Sequence, residues 1–191
     1  MMMPELKFSR HDAKAVQGIL DDVVVPLYVA SHAEVSGDPF YSSERFAERV
    51  RGYLRAPAFE IVVAYVGGTA VGQAFGYALP PHARWWQGLT TPVPERFTEE
   101  SGERTFALNE LMVVPEWQGQ GVAHALHDEL LRGRGEERAT LLVREDNMSA
   151  QNAYARWGWR KIGKLRPFPD APHFDSLVIE LPLGGMEGAH H

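Results

Sequence analysis

Cysteine is absent from this chain. That excludes disulfides, a thiolate nucleophile and zinc sites built on thiolates, and it favours no compartment. Also lacking is any run of roughly 18 apolar residues, the length a bilayer-spanning helix needs. The opening residues, Met1-Met2-Met3-Pro4-Glu5, show no basic segment followed by an apolar core. No signal peptide is therefore expected, and the default expectation is a cytoplasmic protein with no membrane partner. Positive charge is scarce as well. Against 25 Asp and Glu stand 19 Lys and Arg, a formal net charge of −6. This argues against a nucleic-acid partner and is compatible with a cationic ligand. Two phosphate-binding signatures fail too. No Gly-Lys-Ser/Thr triplet follows the glycine turn at 119–121, so it is not a Walker loop, and His124 stands where a dinucleotide-binding loop needs its third glycine.

What is present suits a folded domain. The 191 residues are 45% hydrophobic, with five Trp, nine Phe and six Tyr. One domain is expected from 5 to 183, followed by a flexible tail at 184–191. Its His190 and His191 receive no metal role.

Taken in order, residues 5–9 read as a short strand. Ser9 offers an N-cap, with Asp12 three residues on. Val16, Ile19, Leu20, Val23 and Leu27 recur at helical spacing, which predicts a helix over 10–25 that Pro26 ends or kinks. Residues 28–41 read as a loop. A second helix is expected over 43–55, with Phe46, Val50, Tyr53 and Leu54 inside. Residues 59–66 and 70–79 read as strands joined by Gly67-Gly68, a hairpin signal. Gly72 and Gly76 mark a bulge or a close backbone approach. Residues 80–104 hold four prolines and the pair Trp85-Trp86. A loop this long is often functional, and its tryptophans either line an acceptor site or pack the loop down. Strands follow at 105–114, 139–143, 159–165 and 174–181. Helices are expected over 121–132 and from 147 onward. In the latter Ser149 offers an N-cap, and Ala150, Ala153, Tyr154 and Trp157 share an inner face.

The stretch 108–131, LNELMVVPEWQGQGVAHALHDELL, organises the rest. Its apolar run Leu111-Met112-Val113-Val114 suits a strand covered on both faces. Pro115 stops the ladder, and Gln118-Gly119-Gln120-Gly121 makes a turn. Val122, Leu126 and Leu130 then form one helical stripe. The first amides of a helix lack intrahelical partners and sit at the positive end of its dipole. With glycines to admit close approach, they form a seat for a phosphate or diphosphate.

The run Val114-Pro115-x-x-Gln118-x-x-Gly121-x-Ala123 resembles the acetyl-CoA-binding motif of the GNAT-type N-acetyltransferases, (Arg/Gln)-x-x-Gly-x-(Gly/Ala). Gln118 stands where arginine is commoner. Further on, Asn147-x-x-Ala150-x-x-x-Tyr154-x-x-x-Gly158-Trp159 resembles a second motif of that family, with Trp159 in place of Phe. The resemblance covers 105–165 closely and the first hundred residues only in coarse pattern. It implies an α/β (α+β) fold with a mixed central sheet of six or seven strands. That sheet would be splayed between its fourth and fifth strands, with helices on both faces.

The implied reaction moves an acetyl group from acetyl-CoA, a co-substrate, to an amine in a ternary complex, with no metal. The acceptor is a small-molecule amine or a peptide amino terminus. The resemblance implies that the amides of Gly119, Gly121, Val122, Ala123 and His124, with Gln118 and Gln120, hold the diphosphate. Met112, Val113 and Val114 would pair with the pantetheine arm as an added strand, and Asn147 would reach the cofactor. Tyr154 is the general-acid candidate for the sulfur. Glu110, at the head of the central strand, could take the amine proton through water, with Asn109 a second polar group there. His124 and His127 lie one turn apart, but no third metal ligand is evident from the sequence. A silent CoA-binding module and an acyltransferase for longer chains are the alternatives. Oligomeric state is open, with a homodimer as one option.

Overall fold

The computed structural model describes residues 5–35 and 37–184. The tail expected to be flexible therefore lies, from residue 185 on, outside the described residues. Eleven regular elements follow the order βααβββαβαββ: β1 (Lys7–Asp12), α1 (Val25–Ser31), α2 (Ser43–Tyr53), β2 (Glu60–Val66), β3 (Thr69–Ala78), β4 (Thr105–Val113), α3 (Val122–Leu131), β5 (Arg138–Arg144), α4 (Met148–Arg156), β6 (Arg160–Leu165) and β7 (Phe174–Glu180). The seven strands run β1-β2-β3-β4-β5-β7-β6. Pairing is antiparallel except between β4 and β5, which are parallel over Thr105–Ala107 against Arg138–Thr140. The chain forms two compact units. The first comprises residues 1–77 and 109–131, and the second residues 78–108 and 132–191. β4 contributes its first half to the second unit and its second half to the first.

The first unit departs from expectation at its start. Residues 10–12 extend β1, because Arg10, His11 and Asp12 take partners at Val62, Ile61 and Glu60. Ser9 is thus a strand residue rather than a cap. Asp12 does the capping, accepting from the amides of Lys14 and Ala15 at 3.1 and 2.8 Å. No continuous α-helix follows. A 3₁₀ turn at Ala15–Gly18 and a π-type turn at Leu20–Val24 lead into α1. Pro26 sits in the first turn of α1. There its missing N–H would have no partner anyway, so it starts the helix instead of ending it. The helical spacing reports burial only in part: Val16, Leu20 and Leu27 are in the core, whereas Ile19 and Val23 are half-buried and Val24, outside that stripe, is buried. α2 begins at the Ser42 cap, whose hydroxyl accepts from the Arg45 amide at 3.3 Å, and it buries Phe46, Ala47 and Val50. α3 packs on β2.

Gly72 on β3 is a close-approach point. A Cβ there would lie 2.9 Å from Leu126 Cδ1 on α3 and 2.9 Å from the Met112 carbonyl oxygen on β4. The register shift in this hairpin falls on the partner strand, between Ala64 and Tyr65.

In the second unit the long segment before β4 is anchored rather than loose. Leu79 N–H donates to the Thr105 carbonyl, and Gly102 N–H to the Leu79 carbonyl, each at 2.9 Å. Beneath it Arg138 and Glu100 pair at 3.2 Å with only 5% and 1% of their side chains exposed. Arg138 also donates to Thr105 Oγ1 at 2.8 Å and to the Phe97 carbonyl, and stacks 4.3 Å from the Phe97 ring centroid. Trp86 Nε1–H donates to the same Glu100 oxygen at 2.8 Å. Of the two readings offered for the tryptophans, Trp86 follows the packing one: it is buried and edge-on to Phe97. Desolvating both charges is expensive, and it is offset only because each has several partners.

Candidate active site

The turn expected to seat a diphosphate belongs to the first unit. β4 ends at Val113, a 3₁₀ turn covers Pro115–Trp117, and α3 begins at Val122. Between them Gly119 and Gly121 adopt φ of +74° and +85°, which a side chain would strain. Nothing lies within 4 Å of where a Cβ on Gly119 would stand, so the turn is open. Both glutamines brace it from behind. Gln118 Nε2 donates to the Val113 carbonyl at 2.9 Å, and Gln120 Nε2 to the Glu116 carbonyl at 3.1 Å. Among the described residues no acidic side chain stands in the first turn of α3. The first amides of this ten-residue helix, at its positive end, fit an anionic group.

Just past the end of β4 the Val114 N–H donates to the Val71 carbonyl at 2.9 Å, on the β3 side. Successive strand residues point their amides to opposite edges. The Val113 N–H therefore faces away from β3, and so does its carbonyl, which Gln118 occupies. Of the three residues expected to receive the pantetheine arm, Val113 has the available donor.

Glu110 is the most perturbed carboxyl of this unit. Its Oε2 is buried and has no hydrogen-bond partner. Burial pushes its pKa up to about 7, and the Arg49 charge offsets only part of that. Two tyrosine hydroxyls feel its charge, those of Tyr53 and Tyr28. Tyr53 is pushed up to about 12, by burial first and then by the Glu110 charge. Tyr28 is also raised by burial, partly countered by its hydrogen bond from Arg49. Tyr77 is raised by burial beside Asn109, whose Nδ2 has no partner either. Behind β4, Gln73 Nε2 donates to the Val24 carbonyl at 3.0 Å and to the Met112 sulfur at 3.3 Å.

Arg49, Tyr53 and Tyr77 were not assigned to the site from sequence. A signal existed. Arg49 lies three residues after Phe46 and four before Tyr53, which places a cation on the apolar stripe of α2.

His124 and His127 gain a neighbour that the sequence reading lacked. Asp128 Oδ1 pairs with His127 Nδ1 at 2.8 Å, and Asp128 Oδ2 stands 3.5 Å from His124 Nε2. One ligand atom from each of the three lies within 4.8 Å of the others. Burial depresses the His127 pKa.

In the second unit α4 starts one cap earlier than expected. Asn147, not Ser149, is the N-cap, its Oδ1 accepting from the Ala150 amide at 3.2 Å. The predicted inner face of α4 contains no fully buried residue. Tyr154 is half-buried and lies edge-on to Trp157 and Trp159, with ring centroids 5.4 and 5.9 Å away. Burial alone pushes its hydroxyl up to about 12, so it stays protonated throughout the physiological range.

This is the fold of an acetyltransferase. It matches an acetyltransferase from Thermus thermophilus at a TM-score of 0.63 with 16% identity, over 95% of this chain and 100% of that one. It also matches yncA of Salmonella typhimurium, solved with its cofactor acetyl-CoA, at a TM-score of 0.58 with 13% identity over 93% and 94%. Residues 25–159 match the model of the Acetyltransferase (GNAT) family, and the chain belongs to that family. Among curated proteins it is 33% identical over 123 residues to a GCN5-like protein acetyltransferase of Mycobacterium tuberculosis, and the match covers 59% of each chain. No helix among the described residues is long and apolar enough to cross a membrane.

Proposed function

We propose that the chain transfers an acetyl group from acetyl-CoA to the primary amine of a small molecule or a peptide amino terminus. The supporting observation is the glycine turn at the head of α3, with Gly119 and Gly121 at positive φ and open space beside Gly119, in a chain of the GNAT family. In this reading Gly119, Gly121, Val122, Ala123 and His124 hold the diphosphate, while Gln118 and Gln120 stiffen the turn. The Val113 N–H receives the pantetheine arm or polarises the thioester carbonyl, where a fixed donor stabilises the oxyanion. Asn147, whose side chain caps α4, is also read as a cofactor-binding residue.

An ammonium cannot attack, so its proton must leave first. Glu110, with its pKa raised to about 7, is the base that fits a neutral working pH. The free amine then attacks the thioester carbon, the C–N bond forms and the C–S bond breaks. The departing thiolate, of pKa ~8.5 for an ordinary thiol, is a fair leaving group. Tyr154 donates a hydrogen bond to it. Complete transfer from a hydroxyl near 12 would run uphill, so Tyr154 keeps its proton; the acylated nitrogen sheds its remaining extra proton to solvent, and the thiolate takes one from solvent. Most of the acceleration then comes from positioning two substrates together.

The test is a screen of amines with acetyl-CoA, reading free-thiol release and confirming the N-acetyl product by mass. Acetylated product with any amine supports the transferase. CoA binding with no product from any amine supports the silent CoA-binding module instead, and turnover confined to longer acyl-CoAs supports the wider acyltransferase.

A further inference from the structure

Arg49 and Glu110 are an opposed pair of charges that do not satisfy each other. Among the described residues Arg49 makes no ion pair. Its one hydrogen bond is a long one to the Tyr28 hydroxyl, at 3.4 Å. Its guanidinium carbon sits 5.9, 5.7 and 5.8 Å from the ring centroids of Tyr28, Phe40 and Phe46. The rings hold the guanidinium in place while leaving most of its five N–H donors unspent. Glu110, for its part, keeps a buried carboxylate oxygen with no partner. Had Arg49 been its counter-ion, Glu110 would be held below the usual carboxylate range. Burial wins instead, and the pKa rises. A half-buried cation and a half-buried anion, close enough to feel each other but unpaired, are costly unless a ligand completes them.

We propose that Arg49 anchors a carboxylate on the acceptor, so that the substrate is a small amine that also carries a carboxylate, of the α-amino-acid type. The arrangement is the complement of such a zwitterion. The ammonium goes to Glu110, where it loses its proton, and the carboxylate goes to Arg49. A guanidinium matches a carboxylate through two parallel N–H···O bonds, which an ammonium side chain cannot reproduce. Phe40, 55% exposed, offers an apolar wall for the rest of the molecule. The inference rests on reading Glu110 as the base of the proposed transferase. Arg49 itself is a specificity-determining residue and takes no part in bond making.

The experiment separates the two. Protein saturated with CoA is titrated calorimetrically with a panel of L-amino acids, each paired with its decarboxylated amine, such as tyrosine with tyramine and leucine with isoamylamine. At least one amino acid is expected to bind ten-fold or more tighter than its amine. Arg49→Gln should bring that preference to within about three-fold, and Arg49→Lys should restore only part of it. Circular dichroism on both variants checks that α2 remains folded. The proposal is overturned if no amino acid binds, if no pair favours the carboxylate, or if the preference survives in Arg49→Gln. Thiol release is then read separately on the same panel. Preferential binding without transfer keeps the Arg49 assignment and removes the transferase. Transfer without preference does the reverse.

Discussion

The Gln118 side chain is hydrogen-bonded to the last carbonyl of β4, Nε2–H to Val113 O at 2.9 Å. The motif residue thus supports the turn from inside the protein. Removing it leaves an unpaired carbonyl at the strand end and loosens the glycine turn. Gln118→Ala should weaken CoA binding by about ten-fold, with a stability loss of about 1 kcal/mol, the usual net worth of one such bond. Calorimetry with CoA and urea unfolding check the two parts. A variant that binds CoA as tightly as the wild type would leave Gln118 without a role at the turn.

Gly121 has φ of +85° and stands one residue before α3. Gly121→Glu adds a left-handed strain of roughly 1–2 kcal/mol and a carboxylate where the diphosphate would sit. CoA binding should fall at least a hundred-fold, while the far-UV spectrum stays that of a folded protein. Unchanged CoA affinity would move the diphosphate elsewhere.

Tyr154 is expected to act only as the C–S bond breaks. Tyr154→Phe should therefore lower kcat by about a hundred-fold, the lower range for loss of one donor to developing negative charge, and leave the dissociation constant of CoA within two-fold. A variant with wild-type kcat would make Tyr154 a packing residue against Trp157 and Trp159.

Glu110 gives a pH signature with a definite sign. As a base it works deprotonated, so kcat/KM should climb with pH and level off above about 7, the value to which burial raises it. Glu110→Gln should lower the plateau and flatten that limb. Stability runs the other way. The folded state binds the proton more tightly than the unfolded chain, so folding is favoured at low pH. Stability is lost as pH rises from the ordinary carboxyl value through about 7. Glu110→Gln should therefore raise Tm by roughly 2–5 °C at pH 8 and change it little at pH 4. An equal shift at both values would contradict the buried, unpartnered carboxylate.

Legibility followed distance along the chain. The β4–turn–α3 stretch was readable because strand run, proline, glycines and helical stripe all lie within 24 consecutive residues, 108–131. Residues 10–12 were misread because their conformation is set by β2, some fifty positions away, and nothing local announces the pairing with Val62, Ile61 and Glu60. Asn147 outcompeted Ser149 as a cap for a subtler reason: both residue types cap well, and only the backbone angle at 147 decides. The packing of Trp86 on Glu100 and Arg138 was half legible, since a bulky aromatic in a long loop is usually covered. Arg49 was missed because a lone cation on a helix normally points to water, and its three rings come from α1, α2 and the 3₁₀ turn at Pro39–Tyr41.

The bare α-carbon of Gly72 lets α3 and β4 pack close against β3. With Leu126 Cδ1 and the Met112 carbonyl oxygen both 2.9 Å from the place a methyl would occupy, any larger residue would push α3 or β4 outward. The glycine turn rides on α3 and the Val113 donor on β4, so this one bare position acts as a ruler. On the proposed function, those two features grip the ends of one long, thin ligand, and a side chain at position 72 would change the distance between them.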